Sequence, residues 1–128
     1  MLHADLEPFR VLVVHPSDHF RHHYSSTLQS IDCVVQTAKD GFEGLSQMSD
    51  FQPNLILAGY HMPRVNGLRF FDIVRRNKDF AEVPRVLLLQ EQDIFERAWG
   101  RISGSTEQRP ENMSDEQIFD LMTHFYTN

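Results

Sequence analysis

Seven histidines stand in the 128-residue chain, and four of them, His15, His19, His22 and His23, fall within one short stretch. Imidazoles at helical spacing can ligate a borderline metal or titrate near neutral pH. His15, His19 and either His22 or His23 could share one helix face, with His61 approaching the same rim from a later loop. The candidate metal ligands are therefore His15, His19 and His61. No Cys is nearby, and Asp18 is the one carboxylate that could complete a tetrahedral set, so the ordinary reading is a solvated helix face with neutral imidazoles. A second stretch, "NLILAGYHMPRVNGLRFF" over residues 54–71, runs from an apolar strand through Met62-Pro63 and back to helix after Asn66-Gly67. Its strand ends at Gly59, a residue with no side chain to do chemistry.

Other reactive types are sparse. Cys33 opens an apolar run and reads as a small core residue rather than a redox sensor, because no second Cys or neighbouring base accompanies it. Trp99, in "ERAWGR", sits at the border of an apolar helical stripe, as an interface anchor or a rim residue would. Arg64, Arg69, Arg75, Arg76 and Lys78 surround one helix and read first as a solvated basic face.

The elements that must position these residues alternate. Residues 9–14, 33–38, 54–59 and 85–89 are short Val- or Leu-rich runs, read as buried strands. Between them, 17–31, 40–49 and 67–76 carry apolar residues at helical period, among them Tyr24, Leu28, Phe42, Met48, Phe71 and Val74. Residues 92–102 predict a further helix with Asp93 facing solvent. Ser114 with Gln117 predicts the start of a last helix to 126, with Ile118, Leu121, Met122 and Phe125 on its stripe. Segment 103–113 lacks branched apolar residues and contains Pro110, so a fifth strand there is weak, at an edge, or missing. The pattern predicts an α/β fold, a doubly wound parallel sheet with any ligand site beyond the carboxyl ends of the strands.

Size and charge bound the function. With 41% hydrophobic residues the chain supports one core, so residues 9–128 read as a single domain behind a short leader, 1–8. A net charge of -6 disfavours nucleic acid, anionic membrane and acidic substrates. No signal or membrane-spanning segment is seen, and a soluble cytoplasmic protein is expected.

The stretches "VLVVHPSDHFR", "AKDGFEGL", "PNLILAGYHMPRVNG" and "VPRVLLL" resemble, in order and spacing, the receiver domain of bacterial two-component response regulators, with its CheY-like (flavodoxin-like) three-layer sandwich. The motif M-P-x-x-N-G at Met62–Gly67 is the most specific piece. "DGFEGL", "FERAWGRISGS" and "SDEQI" resemble the stand-alone receivers of type IV pilus twitching-motility chemosensory systems, the PilG-like group. The resemblance implies a phosphoryl-accepting Asp after the third strand, Mg2+ held by that Asp and an acidic pair after the first, a hydroxyl after the fourth, and a Lys after the fifth.

At every one of these positions the sequence departs from the family. The acidic pair falls on His15 and Pro16, the acceptor on Gly59, the hydroxyl on Leu89, the Lys on Glu111, and the aromatic residue that reports phosphorylation on Gln108. Glycine cannot form an acyl phosphate, and neither Pro16 nor Leu89 offers an oxygen. The expectation is a degenerate receiver in a signalling system, not an enzyme, without cofactor and with Mg2+ binding lost. It would act by protein contact, as monomer or weak homodimer, through a face formed by the 92–102 helix, segment 103–113 and the last helix, with Trp99, Ile118 and Met122 as candidates. Small-molecule or metal sensing in the pocket emptied at Gly59 is the alternative.

Overall fold

A computed structural model describes residues 7–93 and 107–126. Five strands, β1 (Arg10–Val14), β2 (Val34–Ala38), β3 (Leu55–Gly59), β4 (Arg85–Leu89) and β5 (Glu107–Pro110), form one sheet in the order β2-β1-β3-β4-β5 with every pair parallel. Helices α1 (Asp18–Gln29), α2 (Gly41–Phe51), α3 (Gly67–Arg76) and α4 (Asp115–Tyr126) connect or follow them. The three central strands are apolar without alternation because both sheet faces are covered. Leu12, Val14, Ile56, Ala58 and Leu87 meet α2 and α3 on one face, whereas Val11, Val13, Leu55, Leu57 and Leu88 meet α1 and α4 on the other. Each fully buried Val, Leu or Ile among them contributes about 1.5–3 kcal/mol.

The same local device starts every one of these helices. Ser17 Oγ accepts from Phe20 N–H (3.3 Å), Asp40 Oδ1 from Glu43 N–H (2.8 Å), and Asn66 Oδ1 from Arg69 N–H (2.9 Å). Ser114 and Gln117 form the expected reciprocal box, Gln117 N–H donating to Ser114 Oγ (3.2 Å) and Ser114 N–H to Gln117 Oε1 (2.8 Å). All four helices begin just after a strand ends, so their starts ring the carboxyl edge of the sheet.

Some expectations need correction. β2 lies at a sheet edge, so it is not a buried strand: Ala38 is its one buried residue and Val34 is 43% exposed. Phe42 was placed on the apolar stripe of α2, but it is 51% exposed, because Gly41 and Gly44 are what α2 presses against Phe70. Ile118 and Met122 lie in the core between α4 and the sheet, which removes them from any contact face. β5 is present, four half-buried residues long, and ends at Pro110, where the edge position tolerates a missing N–H. Trp99 and most of the segment expected as a helix over 92–102 lie outside the described residues, as do residues 1–6 of the expected leader.

The loop between β3 and α3 is drawn tight by Gly67 N–H donating to the Tyr60 carbonyl at 2.8 Å. A Cβ on Gly67 would stand 2.5 Å from the Gly59 carbonyl oxygen and 2.6 Å from Leu87 Cδ1. Backbone cannot yield cheaply there. Gly67→Ala is therefore expected to lower stability by about 2–3 kcal/mol, read as a shift of the urea midpoint at constant slope; a loss below about 0.5 kcal/mol would mean that the loop is not held as described.

Candidate functional site

The carboxyl ends of β1, β3, β4 and β5 converge on His15. The ring is not at the solvent edge: it is buried at 5% exposure and lies over Gly59. A Cβ at residue 59 would sit 2.8 Å from His15 Cδ2 and 3.1 Å from Nε2. The space opened by removing a side chain at 59 is thus taken by a neighbour's ring.

Both ring nitrogens are engaged. Ser17 N–H donates to His15 Nδ1 at 3.0 Å, which places the proton of the neutral ring on Nε2. Nε2–H then donates to Glu111 Oε1 at 2.8 Å, where the carboxylate side chain is 15% exposed. The backbone is fixed too, through His15 N–H to the Ala38 carbonyl (3.0 Å) and Arg21 Nη1 to the His15 carbonyl (2.7 Å). Phe20 covers one side of the ring, with centroids 4.9 Å apart.

Glu111 is held from three directions. Its N–H donates to the Leu89 carbonyl (2.8 Å), its carbonyl accepts from Tyr24 Oη (2.7 Å), and its carboxylate accepts the hydrogen bond from His15 Nε2–H. Burial first, and the Glu111 charge second, push the Tyr24 phenol far above its ordinary range, so it is a donor at any working pH. His23 Nε2 on the Met113 carbonyl (2.8 Å) and Thr27 Oγ1 on Asp115 Oδ1 (2.8 Å) extend this seam, which fastens α1 to the β5–α4 connection.

The remaining sequence candidates separate. Pro16 is exposed and, with His61, Met62, Pro63 and Asn66, lines an open hollow beside the site. Leu89 is buried, with 2% exposure, and can neither ligate nor donate. Gln108 is half-buried in β5. His19 is exposed and stacks on His23, with ring planes 6° apart. His61 Nε2 pairs with Asp93 Oδ1 at 2.7 Å, and Asp93 Oδ2 accepts from Gln90 N–H at 2.9 Å. Asp93, expected in solvent, is 1% exposed; the signal was a capping pattern from Gln90 to Asp93. His15, His19 and His61 are not brought to one point, and among the described residues no three His, Cys, Asp or Glu side chains could hold a metal together.

The profile of the response regulator receiver domain matches residues 11–101. The chain belongs to that family. It is 31% identical over 109 residues to Protein PilG of Pseudomonas aeruginosa, covering 85% of this chain and 81% of PilG. It is 30% identical to Regulator of RpoS of Escherichia coli over 67% of this chain and 29% of that longer protein. Among solved structures, the chemotaxis response regulator CheY4 of Vibrio cholerae superposes with a TM-score of 0.82 at 25% identity, covering 93% of this chain and 99% of that one. The receiver fold and a place in signal transduction follow.

Within this receiver the residues do not fit Mg2+. The acidic-pair positions hold an imidazole committed at both nitrogens and an exposed proline, the acceptor position has no side chain, and Glu111 is committed to His15. Neither Lys nor Arg lines the adjoining hollow to meet phosphoryl oxygens.

Gly59→Ala is expected to cost about 1–3 kcal/mol because the ring is pinned and cannot swing aside. In His15→Ala the same Gly59 substitution should cost little, giving a coupling energy of at least about 1 kcal/mol in a double-mutant cycle by urea unfolding. Additive effects would show that the ring does not occupy that space.

Proposed function

We propose that this receiver has lost phosphoryl acceptance and transmits its signal by protein contact from a single conformation. One observation carries the reading: the His15 ring, on Glu111, stands where the side chain of residue 59 would begin. An acceptor carboxylate needs that volume, a divalent ion to neutralise the crowded oxygens, and a cation on the phosphoryl group. Here the volume is filled, the metal ligands are replaced, and the cation position holds a carboxylate. Mg2+ is then not a cofactor, and no catalysis is assigned to the domain.

With no bond to make or break at the site, the seam from His15 and α1 to residues 111–115 keeps β5 and α4 in one relation. The contact surface is the outer side of α4, where Glu116, Gln117, Asp120 and Thr123 are exposed, in place of the buried Ile118 and Met122. A fixed surface docks its partner constitutively, and regulation comes from partner abundance or competition. The likeness to PilG supports a protein partner in a type IV pilus chemosensory system. Small-molecule sensing at Gly59 loses its room to the same ring.

The test is intact mass after incubation with acetyl phosphate and Mg2+, with beryllofluoride titration followed by amide NMR shifts. The expected result is no phosphoryl adduct and no saturable shift at His15, Gly59 or Leu89, for the native chain and equally for Gly59→Asp, whose carboxylate has no room beside the ring. A stoichiometric adduct on the native chain would overturn the reading.

A further inference from the structure

The α2–α3 side of the sheet carries a group of residues that the seam at His15 does not involve. Residues 64–85 hold six cationic side chains against three acidic ones, an excess of three in a chain of net charge -6, which leaves -9 on the remainder. On α3 these charges share one outer face. The Asp72 carboxyl is held below the usual carboxylate range first by the Arg75 hydrogen bond and then by the charges of Arg76, Arg75 and Arg69. Asp72 is divided between Arg75 and Arg76, while Arg69 and Lys78 have no ion-pair partner among the described residues.

Two features of this face work against local stability, and a third leaves an aromatic ring half in water. Arg64 has φ 68°, the left-handed region in which Cβ crowds the following carbonyl oxygen and which glycine or asparagine adopts more readily. Arg69 stands in the first turn of α3, which has no acidic residue there, so a cation faces the positive end of the helix. Phe42 is 51% exposed at the start of α2. Arg64 connects them: its guanidinium carbon lies 5.1 Å from the centre of the Phe42 ring, and Nη2 is 3.0 Å from Asp40 Oδ2. Two choices that cost stability, gathered beside a half-exposed aromatic ring, point to selection for something other than folding.

We propose that the outer face of α3, with Phe42 and Arg64 at its end, is a docking surface for an acidic segment of a protein partner. The cations supply the complementary charge, and the half-exposed phenyl ring supplies an apolar anchor point of the kind that dominates interface energetics. A polyphosphate backbone fits less well, because Phe42 is a single ring rather than a stacking platform for successive bases. This surface lies across the sheet from α1 and α4. The domain then presents two independent faces and acts as a bridge, and the inference does not rest on loss of phosphorylation.

The probe is a short fluorescein-labelled peptide of Asp and Glu around one central Phe, followed by anisotropy and by amide shifts on the full chain. Saturable binding is expected, weakening with salt, with shifts at Phe42, Arg64 and Arg69. Phe42→Ala and Arg69→Glu should each weaken it about tenfold. Arg69→Glu places an anion at the helix start, so its thermal midpoint should hold or rise, which separates lost binding from lost folding. No saturable binding, shifts confined to another face, or equal affinity for an oligonucleotide of the same charge would each overturn the proposal.

Discussion

An imidazole ring seated against a glycine is the constraint around which the carboxyl end of the sheet is organised. His15 is the last buried residue of the β1 run, and its ring turns inward over the end of β3. Such a placement is tolerable only because both nitrogens have partners, since a buried polar group left without one costs about 1–3 kcal/mol. Ser17 N–H fixes the tautomer, and Glu111 accepts the hydrogen bond from Nε2–H. The ring's position thus depends on the N-cap of α1 and on the end of β5 together.

From that pair the mechanical consequences spread along α1. His23 and Tyr24 lie on one turn of the helix and Thr27 on the next, and their polar atoms reach Met113, Glu111 and Asp115 respectively. A single helix face therefore holds the whole connection between β5 and α4, and the weak fifth strand gains from α1 some of the order that its own sequence lacks. The polarity of the site is also inverted relative to a phosphoryl-accepting receiver: an imidazole donor faces a carboxylate where two carboxylates and a cation would be required. On the proposed reading, electrostatics and sterics each oppose phosphoryl acceptance separately, so restoring any one residue leaves the other obstacle in place.

The two sheet faces divide the molecule's surface between different kinds of contact. α1 and α4 cover one face and are joined by the polar seam, whereas α2 and α3 cover the other and carry the basic stripe with the exposed Phe42. In an ordinary receiver a chemical event at the strand ends would link such surfaces to one another. If that event is absent, as proposed, each surface can be occupied without a change in the other.

Much of this could be read from the chain alone. Four strands and the limits of α3 followed from apolar runs and helical period, because central parallel strands must be apolar on both faces and an amphipathic helix must repeat every turn. The lack of a side-chain carboxylate at residue 59 and at Pro16 was equally legible, since it is a property of residue type. What lay beyond reach was where side chains turn. His15 could have faced solvent or the sheet, Asp93 a solvent face or a cap, and Phe42 the core or the surface; period alone fixes a face only to within a residue or so. Only the packed structure brings His15 beside Gly59, with Glu111 96 positions further along the chain, because that meeting depends on the parallel register of β1, β3, β4 and β5, which no local stretch encodes.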